Sequence, residues 1–316
     1  MTLGAHVRTL GQGPGRARSL TLDESADAMR IMLNGDAAPE AIGALLMLLR
    51  MKGETAGEIA GFARAAQDAV PDLPRVDLDW PSYAAGRTRG LPWFLLSAKL
   101  VADAGYTVVL HGFNGTDATV RKGLALAGIG IAETRAAVTP LLERDRIVYL
   151  PLELWHPALF QLLKLRDVLG LRSCINTVCR MLNPARARAS VQGVFHPSYR
   201  LLQADAASLL GWQNLSVIKG GGGEFERHPS KDIASFGLRN GATWETTYPA
   251  LHDETRRLAE FEAPTSAVGR FPHPHNTFQS AVITGTAAMA LDTLGVVDSQ
   301  THADTLWAKR VTAHAA

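Results

Sequence analysis

The sequence predicts an α/β fold preceded by a separate small all-α N-terminal domain. Residues 21–70 are strongly helix-forming and carry two capping-box signatures, at Thr21-Leu22-Asp23-Glu24 and Thr55-Ala56-Gly57-Glu58. Between these signatures lies a helix that is apolar on nearly every face, so it must be buried on several sides. From residue 78 onward, short apolar segments alternate with helical ones, which is typical of a mostly parallel sheet.

Composition limits the class of protein. The chain has 316 residues, of which 47% are hydrophobic and 20% are charged, and its net charge is +2. This balance is that of a globular protein with one or two domains and does not by itself indicate a nucleic-acid partner. The longest apolar run is too short to span a bilayer and no signal peptide is visible, so we expect a cytoplasmic protein that does not bind membranes. We interpret Cys174 and Cys179 as buried thiols.

Residues 78–114 form the segment most suggestive of a ligand site. They indicate a strand end, a polar loop at residues 81–90, a helix at 92–104 and a strand at 106–110. A loop between a strand end and a helix N-terminus is the usual ligand position in an α/β sheet, and its free amides suit anions. The loop carries Arg87 and Arg89.

The first 20 residues contain three arginines and no acid. Gly11, Gly13, Pro14 and Gly15 are expected to prevent any regular element there. The segment is therefore either a frayed basic tail or an arm that lies along a polyanion.

Residues 20–62 contain the turn Lys52-Gly53-Glu54-Thr55, which is followed by Glu58-Ile59-Ala60-Gly61. Later motifs are the Val-Val-Leu-His-Gly segment that ends at Gly112, Asn183-Pro184-Ala185-Arg186-Ala187 and Val217-Ile218-Lys219-Gly220. Together these motifs resemble anthranilate phosphoribosyltransferase: residues 20–62 resemble its N-terminal helical domain, where the first two motifs are the most specific pieces, and the similarity continues through most of the chain to about residue 240. The resemblance implies a nucleoside phosphorylase/phosphoribosyltransferase-like architecture, with a helical domain at residues 1–75 that is joined by about 155–175. It also implies an α/β domain at 76–154 and 176–316, and a homodimer formed through the helical domain.

The sequence departs from that family where the phosphoribosyl donor would bind. The family has a Gly-Thr-Gly-Gly-Asp loop, whereas the degenerate loop here contains Ser82, Tyr83 and Gly86, and only Ser97 matches the serine-threonine pair beyond it. At the metal site, Glu224-Phe225-Glu226 replaces an adjacent Asp-Glu pair, and Phe225 cannot coordinate a hard cation. We therefore expect no metal and no cofactor, with Mg²⁺ only if the protein is an enzyme. Glu224 and Glu226 are interpreted as vestigial, solvated carboxylates on one face of a strand.

The loop and the basic residues resemble instead the YbiB-type branch of the family, whose members bind nucleic acid. Two stretches, residues 83–131 and 164–188, are rich in Lys and Arg, and they are predicted to form a basic groove that binds DNA without sequence preference. The predicted phosphate contacts are Arg16, Arg18, Arg87, Arg89, Arg121, Lys122 and Arg180. Tyr83 is a candidate for stacking on bases, while core packing is the favoured interpretation of Trp93 and Phe94.

An enzymatic alternative remains open. A pentosyltransferase or phosphorylase acting on another nucleoside-like or aromatic substrate would use His111, Asn114 and Arg172, with Glu224 and Glu226 at a metal. Arg172 matches the family's arginine at the aromatic-acid site. The sequence does not distinguish DNA from RNA, or single strands from duplexes.

Overall fold

The computed structural model describes residues 2–13, 15–83, 91–115, 118–254, 258 and 277–315, with side chains up to residue 310. A helical layer comes first in the chain and a mixed sheet flanked by helices follows. The described α-helices are α1 (Leu3–Gly11), α2 (Leu22–Leu33), α3 (Pro39–Lys52), α4 (Ala56–Asp68), α5 (Phe94–Asp103), α6 (Thr119–Leu126), α7 (Arg135–Asp145), α8 (Leu152–Trp155), α9 (Pro157–Leu169), α10 (Ile175–Arg180), α11 (Tyr199–Leu209), α12 (Thr277–Thr293) and α13 (Ser299–Ala315).

One sheet organises the second part of the chain. Its strands are β1 (Leu78–Ser82), β2 (Val108–Gly112), β3 (Gly130–Ile131), β4 (Ile147–Pro151), β5 (Ala189–Val194), β6 (Asn214–Lys219), β7 (Ile233–Arg239) and β8 (Ala242–Tyr248). They lie in the order β3-β4-β2-β1-β5-β6-β7-β8. The first six strands in this order are parallel to one another, and the β6–β7 and β7–β8 pairs at one side of the sheet are antiparallel. The parallel strands therefore end at one common edge, which we call the carboxyl edge.

Both predicted capping boxes are present. The Thr21 hydroxyl accepts from the Glu24 amide and the Thr55 hydroxyl accepts from the Glu58 amide, and each glutamate returns a bond to the amide of its threonine. Glu58 is fully buried, where it also accepts from the Leu20 amide and pairs with Lys52 at 2.8 Å. These bonds satisfy donors that a helix start leaves without intrahelical partners.

The expectation that no regular element forms in residues 1–20 is wrong. Helix α1 spans Leu3–Gly11 and buries Leu3, His6 and Leu10. The His6 Nε2 atom lies 2.8 Å from an Asp27 carboxylate oxygen, which ties α1 to α2. The glycines that follow do act as breakers, since Gly13 and Gly15 have positive φ angles, but they end a helix and do not prevent one. The start of the chain is thus a packed part of the helical layer.

The helical layer shares one apolar core with the sheet. Leu45 and Phe62 of that layer lie in the same cluster of buried side chains as Val194 and Val217 of the sheet and Leu159 of α9. His156 joins the parts further, because its Nε2 atom lies 3.1 Å from the Ala66 carbonyl while its Nδ1 accepts from the Leu159 amide. Burial lowers the pKa of this imidazole, which favours the neutral form that can make both bonds.

Three further expectations differ from the structure in detail. The strand expected at residues 106–110 lies at Val108–Gly112, and the helix expected from residue 92 begins at Phe94. The β7–β8 hairpin was not predicted, because β8 is rich in threonine and largely exposed, so it carries a weaker apolar signal than a buried strand. Both cysteines are buried as expected, and burial raises the pKa of each thiol.

No helix in the described part of the chain has the length and apolar character needed to cross a membrane.

Candidate ligand site at the carboxyl edge of the sheet

A buried chain of polar side chains lies under the carboxyl edge. The Tyr83 hydroxyl is 2.8 Å from His111 Nδ1, and His111 Nε2 is 3.1 Å from an Asp79 carboxylate oxygen, although that pair lacks hydrogen-bond geometry. The other Asp79 oxygen accepts from the Ser190 hydroxyl at 2.7 Å. Tyr83, His111 and Asp79 are all buried, and burial raises the pKa of the Tyr83 phenol. These polar side chains connect the ends of β1, β2 and β5 just below the carboxyl edge, where a ligand would bind.

The close approach of the parallel strands β1 and β2 at this edge requires a glycine. A Cβ at Gly112 would lie 2.0 Å from the Ser82 carbonyl oxygen, so a side chain there would push the two strand ends apart. Asn114 reaches back across the same contact, donating from Nδ2 to the Ser82 hydroxyl at 3.1 Å. Ser82 and Asn114 are therefore held against each other, and both are buried.

The N-terminus of α5 is occupied by a side chain of the protein itself. The Phe94 amide donates to a Glu226 carboxylate oxygen at 3.0 Å. A helix N-terminus favours an anion because its first amides lack intrahelical partners, and here Glu226 supplies that anion. Ser97, the residue that matched the family's serine, is fully buried and donates to the Ile283 carbonyl of α12 at 2.9 Å.

Aromatic rings fill the space beside this helix start. Trp80 stacks on Phe94 with ring centroids 6.5 Å apart and meets Phe225 edge-on at 5.4 Å. The interpretation of Trp93 and Phe94 as core residues is confirmed, since both are buried. The suggestion that Tyr83 stacks on bases is wrong, because only 1% of Tyr83 is exposed and its hydroxyl contacts His111.

The secondary structure and burial of Glu224 and Glu226 differ from the expectation. They do not lie on a strand and are not solvated; both are buried where the backbone folds back against β5. A Cβ at Gly193 would lie 2.0 Å from the Glu224 carbonyl carbon, which shows how closely the two segments approach. Among the residues that the structure describes, no three His, Cys, Asp or Glu side chains come together in a way that suits a metal ion.

Arg180 was predicted to contact phosphate, but its guanidinium makes hydrogen bonds within the protein. Its guanidinium is buried and donates to the Gly193 and Tyr83 carbonyls at 3.0 Å each, and to Asn176. These bonds join α10 to the ends of β1 and β5. This geometry makes Arg180 a residue that positions the edge, since a guanidinium bonded to backbone carbonyls has fewer donors left for a ligand.

The other predicted phosphate contacts lie in several places. Lys122 is exposed on α6, next to Arg121, which pairs with Glu153 at 2.8 Å and lies over the Tyr149 ring. Arg16 is exposed near α1, and Arg18 makes a two-pronged ion pair with Glu24, whose pKa it lowers to about 2. Arg87, Arg89 and Gly86 lie outside the described residues.

The two basic stretches, residues 83–131 and 164–188, do not come together in one groove at the carboxyl edge. Arg186 and Arg188 precede β5, so they lie at the opposite edge of the sheet, where they pair with Asp68 and Asp77. Lys99 lies in the last turns of α5, also away from the carboxyl edge, and pairs with Asp103. The sequence placed these residues in one groove because linear clustering does not reveal the edge to which each residue belongs.

A cavity of about 350 Å³ opens at the carboxyl end of β5. Arginines from three separate elements line it, together with aromatic rings, and none of its described lining residues is Asp or Glu. The arginines are Arg50 from α3, Arg166 from α9 and Arg172 from the loop after α9, and Arg180 lies at its inner side. Arg50 also donates to the Arg172 carbonyl at 2.6 Å. The sequence did not indicate Arg50, because it lies in the helical layer and reaches the sheet edge only through tertiary packing.

The fold and this edge define a class of protein. The family model described as the helical bundle domain of a glycosyl transferase family matches residues 6–70, and the model of its a/b domain matches residues 95–295. This chain is a member of the anthranilate phosphoribosyltransferase-like glycosyl transferase family, which confirms the resemblance deduced from the motifs.

Individual relatives agree with this assignment. The chain is 33% identical to the anthranilate phosphoribosyltransferase of Halobacterium salinarum over 84% of its own length and 79% of that protein. It is 27% identical to that of Oceanobacillus iheyensis over 89% of this chain and 80% of the relative. Among solved structures, the enzyme from Thermus thermophilus matches with a TM-score of 0.80 at 21% identity, covering 97% of this chain and 94% of that one. The Saccharomyces cerevisiae enzyme in complex with PRPP and Mg matches at 0.77 and 16% identity, covering 96% and 92%. These structural similarities confirm the predicted α/β fold with its helical domain.

Proposed function

We propose that this chain binds nucleic acid, DNA in the first instance, without sequence preference through the carboxyl edge of its sheet. The observation that carries the proposal is the cavity lined by Arg50, Arg166 and Arg172, which has no acidic side chain among its described lining. Arginines on three separate elements neutralise several phosphates at once, and exposed Lys122 adds a cation along the same edge. Arg87 and Arg89 belong to the proposed surface on sequence grounds.

The proposal also holds that the phosphoribosyl donor site has been lost, as in the YbiB-type branch. Two features support this: Glu226 occupies the start of α5, and Trp80, Phe94 and Phe225 pack together beside it. A pyrophosphate at that helix start would meet a carboxylate, and the repulsion of like charges would oppose its binding. We therefore expect no phosphoribosyl transfer to anthranilate.

The alternative is a pentosyltransferase or phosphorylase with an aromatic or nucleoside-like substrate. It is favoured by the position of Arg172 in a cavity of about 350 Å³, a volume suited to a small molecule. The other residues of that alternative, His111, Asn114, Glu224 and Glu226, are buried. Mg²⁺ would accompany this alternative, by analogy with the yeast enzyme, yet Glu226 already accepts a backbone hydrogen bond.

Salt-dependent binding of oligonucleotides tests the proposal. We expect log Kd to change linearly with log salt, with a slope of about 0.7 per contacted phosphate on a single strand. The double variant Arg166→Gln/Arg172→Gln should reduce the slope by about 1.4 and weaken binding about 20-fold at roughly 0.1 M salt. Fluorescence anisotropy across a salt series measures both quantities.

The matched control is Arg186→Gln/Arg188→Gln, which removes the same charge from the opposite edge. Its slope should equal that of the unmodified protein. Equal losses in the two double variants would show that net charge, and not the carboxyl edge, governs binding. No binding at low salt would refute the proposal, and turnover of a phosphoribosyl donor or a nucleoside with Mg²⁺ would favour the alternative.

We also propose a homodimer formed through the helical layer, as the family resemblance implies. Large apolar side chains are exposed on this layer and on α9, which shares its apolar core; they include Met51 at 83% and Val168 at 81%. A contact with a second subunit would remove these apolar side chains from water. Sedimentation equilibrium should give a dimer that Met51→Lys/Val168→Lys dissociates, and a monomer at every concentration would contradict it.

A further inference from the structure

The arginine-lined cavity also presents aromatic rings. Phe195 and His196 directly follow β5 and meet edge-on with ring centroids 4.8 Å apart. Tyr199, at the start of α11, lies on the same wall of the cavity. Burial raises the pKa of the Tyr199 phenol, so its ring lies in a partly desolvated part of the wall. The cavity thus combines arginine side chains with aromatic rings.

The dimensions of the cavity restrict what can enter it. A volume of about 350 Å³ lies at the lower end of the range for small-ligand pockets, roughly 300–1,000 Å³. A duplex is far too wide and keeps its bases paired and stacked inside. An unpaired nucleotide can turn its base outward, stack it on an aromatic side chain and leave its phosphate to arginines.

We infer that the cavity takes one unpaired nucleotide of a bound strand, with its base against Phe195 and Tyr199 and its phosphate at Arg166 and Arg172. The inference rests on the proposed nucleic-acid function and adds to it a preference for single strands over duplexes. It assigns the neutral polar side chains of the wall, such as Asn176 and Gln203, to the edge of the base. Any base fits, because every base has a face that stacks and arginine contacts phosphate irrespective of sequence.

The variant Phe195→Leu tests the inference, since leucine keeps an apolar side chain at this half-buried position but removes the ring. We expect its affinity for a 12-nucleotide single strand to fall about 5- to 100-fold, the range for losing one base–aromatic stack. Affinity for the corresponding duplex and the salt slope should not change. A 2-aminopurine in the single strand should change fluorescence on binding to the unmodified protein and change less with the variant.

Tyr106→Leu is the matched control, because Tyr106 is also half-buried but precedes β2 at the opposite edge, near Arg188. It should leave both affinities unchanged. If the unmodified protein binds duplex as tightly as single strand, or if Phe195→Leu weakens both equally or neither, the inference is wrong while nucleic-acid binding stands. If the unmodified protein binds no oligonucleotide at low salt, the proposed function fails and the inference with it.

Discussion

Replacement of Gly61 by alanine is expected to destabilise the protein by about 3 kcal/mol, at the upper end of the cost of overpacking. A Cβ at this position would lie 2.2 Å from the Leu22 carbonyl oxygen and 2.7 Å from the Ser25 Cβ. Both neighbours belong to α2, whose backbone cannot move without separating from α4. Urea denaturation followed by circular dichroism measures the change in the free energy of unfolding.

Gly57 provides the control in the same helix. Nothing lies within 4 Å of a Cβ built there, so Gly57→Ala should stabilise the protein by up to about 1 kcal/mol, through the lower entropy of the unfolded chain. If both variants changed stability in the same direction, the close approach of α2 and α4 would not be the cause of the Gly61 effect.

Replacement of His111 by leucine is expected to cost about 3–5 kcal/mol, because it leaves the buried Asp79 carboxylate without the imidazole that lies 3.1 Å from it and the buried Tyr83 hydroxyl without its hydrogen-bond partner. Tyr83→Phe removes only the hydroxyl group that contacts His111 on the side away from Asp79, and it should cost about 1–3 kcal/mol. Urea denaturation again gives both values. This ordering treats His111 as a support for the strand ends and not as a catalytic base.

A double variant separates a structural role of His111 from general damage to the core. With His111→Leu/Asp79→Leu the uncompensated charge is gone, so we expect stability to recover by at least about 1 kcal/mol relative to His111→Leu alone. A double variant less stable than the single one would contradict the assignment of the loss to the Asp79 carboxylate. The salt slope of DNA binding should be the same in every variant that folds, since these side chains are buried.

The candidate site was predictable only in part. The sequence indicated the segment around Ser82, Tyr83 and His111, because a loop between a strand end and a helix N-terminus is the usual ligand position in an α/β sheet. It did not indicate that the side chain of Tyr83 turns inward or that Arg180 binds backbone carbonyls. Burial of a polar side chain depends on partners that are distant in sequence, as with Arg180 and Tyr83, and residue type alone does not reveal them.

The sequence by itself determined the family, the capping boxes of α2 and α4, the buried parallel strands and the aromatic core at Trp93 and Phe94. These features depend on local periodicity and on short motifs. Only the tertiary structure decided that Arg50 and Arg172 share a cavity with Phe195, that Glu226 caps α5, and that Arg186 lies at the other edge. The physical reason is that a ligand site is a convergence of elements from separate parts of the chain, so its geometry is fixed by the packing of helices and strands and not by their sequence spacing.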